Sequence, residues 1–349
     1  MDGPDDGNPR ARGDGSQARF GAARFGRGPA RREAPHPAGA AGRAGGPAVA
    51  LGTPSGSATL ARRRYWSDSP WPWLAPLLAM LIVFALFPFF YNIWLSFHEF
   101  VPRRRALEFV GTANWSKLFA DTRMWSALGI TLLYTAICLV IQLVLGLAIA
   151  LLLDSDDPGF GFLRGVLTLT LVIPPAITGM MFLLLEDAQF GVFTFALREM
   201  GLLGNQAILA NPATALAGVM IADIWQWTPF MVLIFLAGLR AMPTEPFESA
   251  VIDGASSWQI FRRLTLPMLG KVIAIAVLIR GIDLFRTFDY VYVMTSGGPG
   301  TSTYTLSLYA WQQTFSFIKW GYGATLSLLS LLVILVVANV FVALTKLRW

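Results

Sequence analysis

The sequence predicts an all-α polytopic membrane protein with six transmembrane helices and a helix–turn–helix loop. Three observations carry that expectation. Hydrophobic residues make up 55% of the 349 and charged residues only 14%, against about 25% charged in soluble domains. Six runs are apolar over the roughly 20 residues that a bilayer crossing needs. Between the fourth and fifth of them, EPFESAVIDGASSWQIFRRLTLP (245–267) inserts a patterned, charged segment, where a passive connector needs only a few polar residues.

Residues 1–66 precede the first run. They hold eleven Arg and five acidic residues, while the rest of the chain has sixteen basic and sixteen acidic residues. The whole formal excess of +6 therefore lies in this tail and says nothing about a ligand of the body. The tail is rich in Gly, Ala, Arg and Pro, buries too little to offset chain entropy, and is expected to be disordered. It reads as a solvated cytoplasmic extension, ending in Arg62-Arg63-Arg64 as a topology anchor at the lipid surface, with no nucleic-acid partner.

The six expected spans are Trp73–Leu95, Met124–Leu153, Leu163–Leu185, Ala213–Leu239, Val272–Met294 and Gly321–Leu344, within a body of residues 70–345. Trp71 and Trp73 open the first as an interfacial belt. Pro174-Pro175 in the third and Pro229 in the fourth predict kinks, since proline lacks an amide donor and crowds the preceding turn. An even number of spans puts both termini on one side. That side carries ten Lys and Arg near span ends against seven on the other, which places the termini and the 245–267 stretch in the cytoplasm. The Arg103-Arg104-Arg105 cluster dissents.

Chemistry-bearing motifs are scarce. Cys138 is the only cysteine, and His36 and His98 stand far apart, so neither a disulfide nor a zinc site is expected. The phosphate-binding P-loop and the Gly-x-Ser-x-Gly nucleophile turn are both missing. The fifth span, however, carries Arg280, Asp283, Arg286 and Asp289 at steps of three, which puts neighbours in contact on a helix. Four central charges cost roughly 10–14 kcal/mol to insert, and the apolar residues of the span return only about 4–7. The span must face other helices or water. Arg280 and Asp283 suit a packing pair; Arg286 and Asp289, nearer the outer half and expected to interact, suit a polar solute route. Asp223, Trp225 and Gln226 in the fourth span form a second polar and aromatic island. Such a lining offers a polar solute hydrogen-bond partners on Asp, Arg and Gln and apolar faces on aromatic rings.

The quoted stretch reads as two short helices at an angle. Phe247, Ala250 and Val251 give the first an apolar face. Asp253-Gly254 supplies a turn, and Ser256 with Gln259 matches a capping box that opens the second, which runs through Trp258 and Phe261 before Pro267.

These residues resemble a family. Glu248, Ala250, Asp253, Gly254, Ala255, Trp258, Phe261, Leu266 and Pro267 match the EAA loop of inner-membrane permease subunits of ABC importers. Ser249 stands where that family usually has its first Ala. Phe109-Val110-Gly111 with Asn114-Trp115, Trp225 to Phe230, and Phe288-Asp289 followed by Thr295 to Gly300 are similar, in order, to further signatures of its carbohydrate branch. The resemblance implies a coupling loop over 243–267, with Phe247, Glu248, Ala250, Asp253, Gly254, Ala255, Trp258 and Phe261 docking into a separate ATPase subunit. It also implies a second permease, two ATPase subunits that hold the ATP and Mg, and an extracytoplasmic binding protein. The chain itself would bind no cofactor and catalyse no covalent chemistry. The alternative is an ion-coupled secondary transporter using Asp223, Asp283 and Asp289.

Overall fold

The computed structural model describes residues 70–155, 158–201 and 207–345; the expected tail, residues 1–66, lies outside them. Nearly every element is helical. α1 (Trp71–Leu81), a π turn (Ile82–Leu86) and α2 (Phe87–Ser96) form one continuous rod. A small antiparallel hairpin follows, β1 (His98–Val101) and β2 (Ala106–Phe109), with Glu99 opposite Glu108. Next come α3 (Ala113–Ala120) and the long α4 (Thr122–Leu153). Asp121 caps α4, accepting from the amides of Arg123 at 2.9 Å and Met124 at 3.4 Å. It thereby fills donors that every helix start leaves open.

Four helices among the described residues are long and apolar enough to cross a membrane: Trp71–Ser96, α4, α8 (Ala215–Arg240) and α14 (Trp320–Thr345). The third expected span is broken, not merely kinked. α5 (Phe160–Val172) and α6 (Pro175–Leu185) meet at 97°. Ile173 and Pro174 are extended, with ψ of 127° and 139°: a residue before proline is pushed out of the helical region, and here that happens twice in succession. Pro229 behaves otherwise. α8 runs through it without interruption.

The fifth expected span departs further. Its helix starts well before Val272: α10 (Ser257–Ile260), a π turn (Phe261–Thr265) and α11 (Leu266–Phe285) follow one another without a gap. It also stops early. After Phe285 the chain leaves the helix at Arg286 and Phe288 and resumes as α12 (Asp289–Met294). The amides of Arg286 and Thr287 close the last turn on Asp283 and Leu284, and the hydroxyl of Thr305 donates to the carbonyl of Thr287 at 3.4 Å. The four-charge ladder therefore does not lie on one helix face.

α4 and α8 form the spine, with α11 packed along both. Gly146 permits this: a Cβ there would lie 2.6 Å from the Cβ of Met231, so a larger residue would push the two backbones apart. Ala150, Met231, Phe235 and Leu269 fill one end of the interface, and Tyr134, Cys138, Phe182, Val219 and Tyr290 the other. A separate cluster of Leu118, Met124, Tyr309, Tyr322 and Leu326 seats α14 and the short α13 (Leu306–Trp311) against α4. Between α6 and α8, just past Leu185 and ahead of the short α7 (Val192–Glu199), Glu186 is 1% exposed. Neither of its carboxylate oxygens has a hydrogen-bond partner, and burial raises its carboxyl to about 7.

Candidate functional site

Two places stand out, joined by one helix. The first is the stretch quoted above. α9 (Glu245–Ile252) ends in Asp253 and Gly254, and Gly254 has φ +75°. The amide of Ala255 donates to the carbonyl of Ala250 at 2.9 Å, and that of Gly254 to Val251 at 3.1 Å. This is the six-to-one and five-to-two pairing of a Schellman stop, which glycine's freedom at positive φ allows. α10 then starts at a complete capping box: the Gln259 amide donates to Ser256 Oγ at 3.3 Å and the Ser256 amide to Gln259 Oε1 at 2.8 Å. Phe247, Ala250, Ala255 and Phe261 are half-buried, whereas Glu248, Asp253, Gly254 and Trp258 are exposed. Val251, Ile252 and Trp258 leave a bare apolar patch on this tip.

The second place is a cavity of about 320 Å³, lined by residues of α8, the end of α11, the break after it and Pro175 at the start of α6. Both interrupted helices open onto it. At its floor Arg280, 2% exposed, is held from three directions. Its Nε donates to Gln142 Oε1 on α4 at 2.9 Å. Its two Nη groups pair with Asp223 on α8 and Asp283 on α11. Gln142 also donates to Asp223 Oδ1 at 2.7 Å, and the Trp227 ring lies 4.7 Å beneath the guanidinium. A buried charge is tolerable only when paired and hydrogen-bonded in this way.

A neutral network continues the floor. Trp227 Nε1 donates to Tyr290 Oη at 3.0 Å, Tyr290 donates to Gln226 Oε1, and Gln226 Nε2 donates to the carbonyl of Ile173. That carbonyl sits where the prolines interrupt the third span, so α8 supplies the partner that the broken helix cannot. One segment of α8 thus satisfies the carbonyl freed at the first break and, through Trp227 and Gln226, holds the Tyr290 hydroxyl just past the second.

Asp223 lies in this floor, Gln226 is buried behind it against Tyr290, and Arg286 and Asp289 line the cavity wall. Arg286 and Asp289 are exposed and form no ion pair among the described residues, so the expected interaction between them is not found. Trp225 is not brought to the site: it is 41% exposed and packs toward Phe182. Trp227 takes the place expected of it.

Residues 142–348 match the family described as binding-protein-dependent transport system inner membrane component. The chain is 32% identical over 278 residues to the trehalose/maltose transport system permease protein of Thermococcus litoralis, covering 79% of this chain and 92% of that one. It is 32% identical over 285 residues to the lactose transport system permease protein of Rhizobium radiobacter, covering 79% and 93%. The chain belongs to this permease family. Its fold is similar to that of a chain in a bacterial ABC transporter involved in import of the acidic polysaccharide alginate, with a TM-score of 0.68 and 21% identity over 80% of this chain and 98% of that one. The relatives are transport permease subunits, and the ion-coupled alternative finds no support among them.

Sequence reasoning missed two groups that organise the permease cavity, Gln142 and Trp227. The second was within reach. From Asp223, the residue one helical turn on is Gln226 or Trp227, whereas Trp225 points elsewhere. Gln142 stands alone in an apolar helix, and nothing local marks its partner 81 residues away.

Proposed function

We propose that this permease carries a sugar, oligosaccharide or polyol across the inner membrane as one half of the path of an ATP-driven importer. The observation that carries the reading is the uninterrupted helix from Ser257 to Phe285. At about 1.5 Å per residue it spans roughly 43 Å and joins the exposed apolar tip to the cavity floor. A push on the tip is therefore delivered to Arg280 and to the break beyond it. In this reading the tip, Phe247 to Phe261, is cytoplasmic and docks on an ATPase subunit that holds ATP and Mg. The chain crosses the membrane six times with both termini inside, pairs with a second permease, and receives solute from an extracytoplasmic binding protein. The names of the relatives support a carbohydrate, and they range from trehalose, maltose and lactose to sulfoquinovosyl glycerol. Asp289, Arg286 and the Trp227, Phe288 and Tyr290 rings give the cavity wall the groups that sugars use.

The test is uptake by the assembled importer in proteoliposomes. ATP supplied inside should drive uptake of a panel of neutral and acidic disaccharides, and an ion gradient without ATP should not. A cysteine in place of Ala250 should crosslink to the ATPase subunit with a yield that changes on adding ATP. Gradient-driven uptake, or a crosslink to the binding protein instead, would sink the proposal.

A further inference from the structure

The charges that line the cavity are unevenly matched. Three carboxylates, Asp223, Asp283 and Asp289, share it with two guanidiniums, Arg280 and Arg286. Arg280 is unavailable to a solute: it is 2% exposed and already engaged by Gln142, Asp223, Asp283 and the Trp227 ring. Asp223 is buried with it, also 2% exposed. Asp283 differs, because its side chain stays 42% exposed while holding Arg280. The charged groups left to meet a solute are two acidic, Asp283 and Asp289, and one basic, Arg286.

From this balance we propose that the solute is uncharged, a neutral sugar or polyol, and that acidic sugars are rejected at this cavity. The proposal rests on the carbohydrate reading above and narrows it. A hydroxyl both donates and accepts, so a neutral sugar can satisfy the two carboxylates and the guanidinium by turning its O–H groups. A solute carboxylate or sulfonate at neutral pH only accepts. Beside Asp283 and Asp289 it would set lone pairs against lone pairs, in a partly enclosed site where like charges are screened less than in water. One guanidinium does not offset two carboxylates. The Trp227, Phe288 and Tyr290 rings add surface that suits the C–H faces of an uncharged ring.

The experiment uses the complete importer with its binding protein in ATP-loaded proteoliposomes. The probes are radiolabelled trehalose, maltose and lactose, and a disaccharide of one glucuronate and one glucose ring. The readout is the uptake ratio of the best-carried neutral probe to the uronate, in the native importer and in Asp289→Lys and Asp289→Asn variants. The binding protein and second permease are the same in all three, so a changed ratio originates in this cavity. The native ratio should be at least tenfold. Asp289→Lys should lower it at least fivefold and Asp289→Asn by a smaller factor, which keeps the test alive if the lysine variant does not assemble. Equal native uptake of both probe classes, or a ratio unmoved by either variant, overturns the charge proposal and leaves the carbohydrate reading standing. If no probe of either kind is carried, the carbohydrate reading fails and takes this proposal with it.

Discussion

Arg280 and its two carboxylates illustrate how position decides what a charge is worth. Asp223 is buried against the guanidinium and Gln142, so Asp223→Asn should leave the buried cation with only the half-exposed Asp283 to balance it and cost about 3–5 kcal/mol. Asp283 touches the same guanidinium from a half-exposed position, where water screens it, and Asp283→Asn should cost no more than about 1 kcal/mol. Thermal unfolding of the purified importer checks both; equal losses would show that the two carboxylates are interchangeable. Glu186 predicts a pH effect of known sign. Burial raises its carboxyl from 4.5 to about 7, so the folded chain holds the proton more tightly than the unfolded chain. Its contribution is complete below about pH 4.5 and is lost as pH rises through about 7, a change on the order of 3 kcal/mol. Glu186→Gln should remove that pH dependence and raise the melting temperature at pH 8. A native protein whose melting temperature is flat between pH 5 and 8 would contradict this.

At the scale of elements, the turn at Gly254 sets the angle between α9 and α10. A Cβ placed there would meet nothing within 4 Å, so the penalty of Gly254→Val comes from the +75° φ alone, roughly 1–3 kcal/mol. The strain is confined to the turn, which lies outside the membrane-crossing helices. The variant should insert and pair normally yet co-purify with less ATPase subunit, or hydrolyse ATP without responding to solute; full coupling would make the loop a mere connector. This element was legible in advance because each of its signals is local: a capping box, a turn dipeptide and a short apolar face. The spans Trp71–Ser96, α4, α8 and α14 were legible for the same reason, through uninterrupted apolar length. The breaks were not equally visible. Two adjacent prolines announce a disturbance at 174–175, but the 97° turn is held by Gln226 from another helix. No proline marks the break after Phe285, where the freed Thr287 carbonyl is taken up by Thr305, 18 residues on. Charge spacing suggested a ladder along one helix because it assumed that the helix continued.

For the whole molecule, the family match covers residues 142–348, and the tail contributes no periodic pattern to it. Deleting residues 1–58 while keeping Arg62–Arg64 should leave membrane insertion and uptake near native. Normal membrane levels with lost uptake would assign the tail a role. Orientation is open to direct measurement: with Cys138 replaced by Ala, a cysteine at Ser257 should react with an impermeant maleimide only in inverted vesicles, and one at Arg104 only in intact cells. The order in which the parts are made gives the bare surface of Trp71–Leu95 a further meaning. Among the described helices the ribosome delivers this rod first and its packing partner, α14, last, about 225 residues behind the end of the rod; at ~5–20 residues per second the delay is roughly 10–45 seconds. During that interval α14 does not cover it, so the side that α14 later meets must also be apolar, and none of its residues from Trp71 to Leu95 is buried. Arg280 faces the opposite schedule. Gln142 and Asp223 precede it in the chain, so one carboxylate and one amide partner are already made when it arrives, and Asp283 follows three residues later.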